Sequence, residues 1–326
     1  MKVRIWLLLV GFLTGLLGSW SIAQFGSRIG MIDIPNNRSS HSIFIPKGAG
    51  IGIVLAFLMA SLSLSLPSWL WGSAICISLI SFLGGDKSLL SAEKRLVVQF
   101  GCSWCLLLYV LNQTPVSVAS LLMAILSSVF IVGTSNLYNF MDGIDGLAGI
   151  TSVVGFYLLW LYIHLFKMDP SYGVLCLVLI SSSIGFLCFN LPQAKVFLGD
   201  VGSVFLGFIF SCLVILLSDS FIDFIVMIGF ISPFYFDELI TVILRLKQGD
   251  SLVIPHRKHL YQLLANELEV RHWKIAGGYG FCQLLIGLSG IYLKSRGVWV
   301  VLLVYLGYGV LFLIFFNVIR KKVCEL

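Results

Sequence analysis

Charged residues are scarce in this sequence. Asp, Glu, Lys and Arg together make up 11% of the 326 residues, hydrophobic residues make up 59%, and the mean hydropathy is +1.01. Soluble domains carry roughly 25% charged residues, so the composition excludes an ordinary soluble protein. The net charge of +6 is spread over many short segments and gives no sign of a nucleic-acid binder.

The sequence also lacks the cysteine pattern of a secreted, disulfide-bonded protein. Its eight cysteines are dispersed, and most of them fall inside apolar segments. Cys102 and Cys105 form a CxxC pair, but no second ligand pair lies nearby in the sequence. Packing between helices is therefore a better interpretation of this pair than a metal site.

Long apolar runs dominate what remains. A helix needs about 20 apolar residues to cross the ~30 Å hydrocarbon core of a bilayer. The sequence predicts an all-α polytopic integral membrane protein, and its runs indicate eleven transmembrane helices in a single domain, 1–326. The predicted spans are 5–24, 50–66, 69–84, 96–112, 116–138, 147–166, 172–190, 201–218, 221–242, 275–293 and 298–318.

The distribution of Lys and Arg predicts the orientation. With the N-terminus outside and the C-terminus in the cytoplasm, sixteen of the 21 basic residues lie on the inner side, as the positive-inside rule requires. The alternative is a cleaved signal peptide with Lys2 and Arg4 before an apolar core and Ser21-Ile22-Ala23 as the cleavage site. Cleavage would invert every later loop and place the basic residues outside.

Under this topology the carboxylates concentrate on one face. Asp33, Asp86, Asp142, Asp145, Asp200 and Asp250 all fall on the inner side, whereas Asp169, Asp219 and Asp223 are interpreted as ordinary solvated residues of the outer loops. The active-site face is therefore predicted in five cytoplasmic loops, which are 25–49, 85–95, 139–146, 191–200 and 243–274.

The stretch Asn139-Phe-Met-Asp142-Gly-Ile-Asp145-Gly is the most unusual of these loops. If the fifth helix continues through Met141, Asp142 and Asp145 share one face with Asn139 nearby. Two close carboxylates at a low-dielectric boundary repel each other unless a cation lies between them, and oxygen ligands suit Mg²⁺ or Mn²⁺. The alternative is a pair of Asp-Gly turns that cap the next helix.

Two further clusters point to phosphate. In Phe197-Leu-Gly-Asp200-Val-Gly-Ser203, Asp200 precedes the eighth helix, where it could cap the helix or hold a metal while a phosphate rests on the backbone amides. Pro255-His256-Arg257-Lys258-His259-Leu-Tyr261 suits a pyrophosphate or, alternatively, anionic lipid headgroups. The glycines of Gly48-Ala-Gly-Ile-Gly52 indicate helix packing and not a phosphate loop.

Together these motifs resemble a known family, the polyprenyl-phosphate N-acetylhexosamine-1-phosphate transferases, also classed with glycosyltransferase family 4. Five segments resemble its motifs in the same order along nearly the whole chain. They are Gly30 to Asn36 with Arg38 and His41; Gly85-Asp86 with Arg95 and Gln99; Asn139 to Leu147; Phe197 to Ser203, with Pro233 and Asp237 in the ninth span; and His256 to Tyr261.

The resemblance implies a role for each motif residue. Asp200 and Asn139 would bind Mg²⁺, with Mn²⁺ as the alternative ion. Asp142 and Asp145 would complete the polar site or hold the nucleotide, and Asp86 would lie near the lipid phosphate. The remaining assignments concern substrate binding, in which His256, Arg257 and His259 hold the pyrophosphate while Lys47 and Arg95 also contact substrate.

The implied reaction transfers an N-acetylated sugar-1-phosphate from a UDP-sugar to undecaprenyl phosphate and releases UMP. By resemblance it is the first membrane step of O-antigen or other cell-surface polysaccharide synthesis, at the cytoplasmic face of a bacterial inner membrane. The basic loop is more similar to the O-antigen and capsule branch than to the triple-histidine peptidoglycan branch, which favours UDP-GlcNAc or a UDP 6-deoxy amino sugar as donor. A homodimer is compatible with these assignments.

One position departs from the family. Its first aspartate pair reads Asp-Asp, whereas this chain has Gly85 before Asp86. A phosphate monoester is already largely a dianion near pH 7, with a second pKa of about 6, so a base there is dispensable and activity is expected. The alternatives are a catalytically impaired homologue and a secondary transporter, although a transporter site should lie nearer the bilayer midplane.

Overall fold

The computed structural model describes residues 5–35, 40, 43–83, 91–113, 115, 117–250 and 257–325. The helices of the first half are α1 (Ile5–Phe25), α2 (Gly50–Ser63), α3 (Ser68–Leu83), α4 (Ala92–Asn112), α5 (Val118–Phe140) and α6 (Leu147–Leu165). Those of the second half are α7 (Pro170–Asn190), α8 (Asp200–Leu216), α9 (Phe221–Ile228), α10 (Ser232–Gln248), α11 (Leu260–Gln262), α12 (His272–Leu293) and α13 (Val298–Cys324).

Every predicted span coincides with a helical segment. Within the described residues, eight helical segments are long and apolar enough to cross a membrane, and α2, α3 and α8 are shorter apolar helices. The chain is thus a helical, multi-pass membrane protein, while eleven crossings and the orientation stay predictions. The exception to an all-α fold is a small antiparallel sheet of β1 (Ile32–Asp33) and β2 (Ile45–Pro46).

Helix α8 forms the centre of the bundle. Nearly all of its side chains are buried, and it packs against α5, α3 and α2. Around it, α1 packs on α7, α7 on α6, and α6 on α12. In contrast, α13 buries little of its apolar surface, as expected for a helix whose outward side chains face lipid.

The predicted ninth span is not one straight helix. It divides into α9 and α10 around a 3₁₀ turn at Gly229–Ile231, and Pro233 follows at the start of α10. Proline has no N–H to donate and its ring obstructs the preceding turn, which explains the break. Helix α10 therefore begins as a separate element, and it carries Asp237 and Glu238, which both contact His259.

One expectation about the outer loops is wrong. Asp223 is 4% exposed, so it is not an ordinary solvated residue. Its Oδ1 lies 2.6 Å from Lys294 Nζ, Ser220 donates a hydrogen bond to Oδ2 at 2.6 Å, and the Tyr162 hydroxyl donates to Oδ1. The Lys294 ammonium also lies 3.6 Å from the centre of the Phe166 ring. This buried ion pair connects α6, α9 and the end of α12 at the end of the bundle opposite the candidate site.

The cysteine pair divides between two environments. All eight cysteines lie in the described part of the chain, and each is free of a disulfide. Cys102 is buried between helices, whereas Cys105 is exposed on the side of α4. The packing interpretation therefore applies to Cys102 and not to Cys105.

Candidate active site at one end of the helix bundle

The central loop lies between α5 and α6. Helix α5 ends at Phe140, with Met141 as its C-cap, so the condition under which Asp142 and Asp145 would share one helix face is not met. Asp142 and Asp145 nevertheless lie in one electrostatic environment. Burial raises the pKa of Asp142 to about 7, and the nearby charges of Asp200, Asp33 and Asp145 add to the rise. Acidic side chains from three separate loops thus converge at this end of the bundle.

Asp200 is the first residue of α8. Gly199 is the N-cap and makes no side-chain cap hydrogen bond, so the alternative that Asp200 is present to cap this helix is not supported. Its Oδ2 instead lies 3.1 Å from Nη1 of Arg95 in the first turn of α4, and both side chains are partly exposed. A carboxylate in the first turn is also favoured by the helix dipole.

Asn139 is held against the same helix start. Ser203, in the first turn of α8, donates a hydrogen bond from its hydroxyl to Asn139 Oδ1 at 2.5 Å. This contact joins the end of α5 to the beginning of α8 and brings the two predicted metal ligands to neighbouring positions. The alternative that Asp142 and Asp145 merely cap α6 is also unsupported, since its N-cap Gly146 has no side-chain cap and its N–H donates to Asn190 Oδ1 at 2.6 Å.

The donor set fits a hard divalent cation. Asp200, Asn139 and Asp142 offer oxygen ligands, and a nearby cation would offset the burial and the negative charges that raise the pKa of Asp142. Among the residues that the structure describes, however, no group of three or more His, Cys, Asp or Glu has the geometry to hold a metal. Mg²⁺ commonly takes one or two carboxylates and completes its shell with water and substrate phosphate, which this set allows.

Lys47 follows β2 and reaches the edge of this cluster. Its Nζ lies 3.4 Å from Asp33 Oδ1, and its backbone pairs in parallel with Phe197 in the loop before α8. The glycines that follow confirm the packing interpretation. A Cβ on Gly50 would lie 2.3 Å from Cα of Gly202, so the start of α2 touches the start of α8 backbone to backbone.

Asp237 of α10 anchors the basic loop. Asp237 is fully buried, and its carboxylate accepts hydrogen bonds from the Leu260 N–H at 2.8 Å and from the Tyr279 hydroxyl at 2.6 Å. Tyr261 donates from its hydroxyl to the Phe140 carbonyl at 3.0 Å, and its ring covers Gly143, where a Cβ would lie 2.3 Å from that hydroxyl. The loop is therefore docked directly on the central motif.

His259 lies inside the protein. It is 4% exposed, with Nδ1 3.5 Å from Asp237 Oδ1 and Nε2 3.6 Å from Glu238 Oε2. Burial lowers the pKa of His259, but the hydrogen bond and charge of Asp237 and the charge of Glu238 raise it more, so the net shift is upward. Arg257 and Lys258 precede it, and Lys258 pairs with Asp250. Asp86, Gly85 and His256 lie outside the described residues.

A groove leads away from this cluster along the helices. It has a volume of about 720 Å³, begins at Arg95 and Asn139, and continues between α4, α5 and α10 past Tyr235 to Val129. Its walls are mainly apolar, and several of its lining side chains, including Phe100 and Val129, are exposed at the outside of the bundle. The charged cluster is thus continuous with an apolar channel that opens toward the membrane.

Some residues of the site carry no sequence signal. His272 contacts Asp145, Glu238 lies against His259 and lines the groove, and Tyr279 binds Asp237. His272 and Tyr279 lie in or beside an apolar helix with no motif around them, and each pairs with a residue far away along the chain. Their partners Asp145, His259 and Asp237 were marked by the sequence motifs, whereas His272, Glu238 and Tyr279 were not.

Comparison with known proteins gives a consistent result. Residues 68–218 match the family described as glycosyl transferase family 4. The chain is 29% identical to a probable undecaprenyl-phosphate N-acetylglucosaminyl 1-phosphate transferase of Bacillus subtilis (strain 168), over 91% of this chain and 86% of that protein.

Two other relatives are phospho-N-acetylmuramoyl-pentapeptide-transferases, of which the chain spans about half the length. That of Staphylococcus saprophyticus is 35% identical over 56% of this chain and 54% of its own length. That of Staphylococcus epidermidis (strain RP62A) is 30% identical over 50% of this chain and 49% of its own. The matched segment, residues 68–218, and these relatives are similar to the phosphosugar transferases of glycosyl transferase family 4, the family that the motifs resemble.

Proposed function

We propose that the protein transfers an N-acetylhexosamine-1-phosphate from a UDP-sugar to undecaprenyl phosphate. The observation that carries this proposal is the meeting of three predicted phosphate-handling elements, which are the Asp200–Arg95 pair, Asn139 on Ser203, and the basic loop docked through Tyr261, next to an apolar groove. A polar anion site beside a lipid-accessible channel suits an acceptor that has a charged head and an apolar tail.

The proposed reaction is a phosphoryl transfer. An oxygen of the lipid phosphate attacks the phosphorus next to the sugar, the bond from that phosphorus to the oxygen of the uridylate phosphate breaks, and UMP leaves with that oxygen. The product is an undecaprenyl-diphosphate-sugar. Because both reactants are anions, most of the acceleration should come from charge neutralisation and in-line positioning.

Each cluster has a place in this proposal. Asp200 and Asn139 would hold Mg²⁺, which when bound supplies positive charge beside the pyrophosphate. Arg95 lies between Asp200 and the groove, where its guanidinium can take the lipid phosphate in a bidentate contact. Lys47 and Arg257 would add positive charge, and Asp145 would hold the nucleotide.

His259 fits a positioning role as well as a contact role. Its ring is enclosed by Asp237 and Glu238, so a protonated imidazole held there adds positive charge below the loop that carries Arg257. Asp86, Asp142 and His256 keep the roles implied by the motifs. Gly85→Asp should change the rate only modestly, since the acceptor phosphate needs no base.

The donor proposed is UDP-GlcNAc or a UDP 6-deoxy amino sugar. It is supported by the basic loop and by the Bacillus subtilis relative, whose name specifies an N-acetylglucosaminyl 1-phosphate transferase and which aligns over most of this chain. The site would face the cytoplasm of a bacterial inner membrane, and the product would start a cell-surface polysaccharide such as O-antigen.

The test is UMP release by the purified protein in detergent, with undecaprenyl phosphate, Mg²⁺ and a panel of UDP-N-acetyl sugars. Release that depends on the lipid and is abolished by EDTA or by Asp200→Asn supports the proposal and names the donor. If folded protein releases no UMP with any donor, the Gly85→Asp variant is tested next. UMP release by this variant would show an impaired homologue, and no release would show a protein of another function.

A further inference from the structure

His272 is a contact of the central loop that no motif contains. It is the first residue of α12, at the far end of the segment that begins with the basic loop. Its Nδ1 lies 3.0 Å from Asp145 Oδ2 and 3.3 Å from the Asp145 backbone nitrogen. Asp145 is 8% exposed, so its carboxylate has few other orientations open to water.

The two contacts of Nδ1 require different protonation states of that nitrogen. A hydrogen bond to the carboxylate needs a proton on Nδ1, whereas accepting the backbone N–H needs a lone pair there. We assign the proton to the shorter contact, in which Nδ1–H donates to Asp145. Hydrogen bonds to charged groups are the stronger class and fix the orientation of a carboxylate.

His272 also helps to hold a longer segment of the chain against the central loop. Tyr261 docks one end of the segment 260–272 on the Phe140 carbonyl, and His272 docks the other end on Asp145. The segment therefore spans the central loop between two tethers. The first tether fixes backbone, and the second fixes the side chain of a residue to which the proposed function gives substrate contact.

We infer that His272 is a positioning residue for Asp145, which it holds in the orientation needed for binding the nucleotide half of the donor. This inference rests on the proposed function. It predicts that loss of the Nδ1 donor weakens donor binding selectively, because the acceptor phosphate lies on the other side of the site near Arg95 and the groove.

The experiment compares His272→Leu with His272→Asn in the full-length protein. The Asn side-chain amide can place an N–H close to the position of Nδ1, whereas Leu cannot donate. We expect His272→Leu to raise KM for the UDP-sugar about tenfold with KM for undecaprenyl phosphate within about twofold of wild type. His272→Asn should recover the UDP-sugar KM to within about threefold of wild type.

Two further measurements separate positioning from general damage. UMP affinity, measured by calorimetry without turnover, should fall in His272→Leu by about the same factor as the KM effect and recover in His272→Asn. His164→Asn is the matched control, because His164 is an exposed histidine at the other end of α6, stacked on Trp160. This control should behave as wild type.

The outcomes are distinct. Lipid-dependent UMP release by the wild type with unchanged UDP-sugar KM in His272→Leu would overturn the inference and leave the proposed function standing. Equal rises in both KM values, or a loss that follows a lower melting temperature and is not recovered by Asn, would also overturn it. If the wild type releases no UMP, the proposed function fails and the inference falls with it.

Discussion

At the scale of single residues, the charged side chains of the site are already paired with each other. Asp200 faces Arg95, Asp145 faces His272, and His259 lies between Asp237 and Glu238. Sequence motifs marked Asp200, Arg95, Asp145 and His259, but not their pairing. The partners lie 21 to 127 positions apart, and contacts between separate segments leave no periodic pattern.

The Arg95–Asp200 pair should oppose metal binding. A cation at Asp200 must displace the guanidinium, and a partly exposed ion pair is worth about 1 kcal/mol or less, which corresponds to no more than about fivefold. Arg95→Met should therefore tighten Mg²⁺ binding by up to about fivefold in calorimetry without substrates. Lys94→Met, one residue earlier, is the control and should leave the affinity unchanged. Weaker Mg²⁺ binding in Arg95→Met would contradict this competition.

The surroundings of His259 predict a pH dependence of stability. The folded-state pKa of His259 is raised above its unfolded value of about 6.5, mainly because the carboxylates outweigh burial. The resulting stabilisation is fully present below that unfolded value and is lost as the pH rises through the folded pKa. The melting temperature of the wild type should therefore fall, relative to that of His259→Gln, as the pH rises above about 6.5. Parallel pH curves for the two proteins would count against a protonated His259.

At the scale of helices, the contact between Gly50 and Gly202 brings the starts of α2 and α8 together at the site. Apolar runs predicted where each helix lies, but not that α4 begins at Ala92, that α10 follows a break, or that α5 ends at Phe140. The start of α4 is capped by Ser91, whose hydroxyl oxygen accepts a hydrogen bond from the Lys94 N–H, and the break before α10 lies next to Pro233. The glycines of 48–52 were correctly assigned to packing, because Gly50 lies against Gly202 with no room for a Cβ.

The contact between α2 and α8 can be tested directly. A methyl group on Gly50 has no room against Gly202, so Gly50→Ala should separate the two helix starts and destabilise the protein by about 1–3 kcal/mol. Activity should fall too, since Lys47 and Asp200 flank the contact. Gly72→Ala in α3 meets no atom within 4 Å and should be neutral or slightly stabilising. Thermal unfolding and UMP release measure both effects, and equal behaviour of the two variants would argue against the close contact.

At the scale of the whole molecule, the two ends of the bundle carry different groups of charged residues. One end gathers the motif residues, and the other holds the Asp223–Lys294 pair, which composition alone could not distinguish from solvated outer charges. The sequence predicted the fold class and which loops meet, through charge asymmetry and motif order. It could not predict the buried pair, since burial depends on how α6, α9 and α12 pack.

Removing half of that buried pair should affect stability and leave the chemistry intact. Asp223→Asn leaves the Lys294 charge without its buried partner, which typically costs about 3–5 kcal/mol. Combining it with Lys294→Met should restore part of the loss. Both KM values should stay near wild type, because the pair is remote from the site. A change in either KM without loss of melting temperature would show that the two ends are coupled.

In the proposed reaction the sugar moves together with its phosphate. The most direct measurement uses a UDP-sugar labelled with ³²P at the phosphorus next to the sugar, incubated with the protein, Mg²⁺ and undecaprenyl phosphate, followed by extraction of the lipid. This label should enter the lipid fraction, label at the uridylate phosphorus should be recovered in UMP, and Asp200→Asn should prevent both. Label at the sugar-proximal phosphorus that stays in water-soluble UDP while sugar enters the lipid would contradict the proposed reaction.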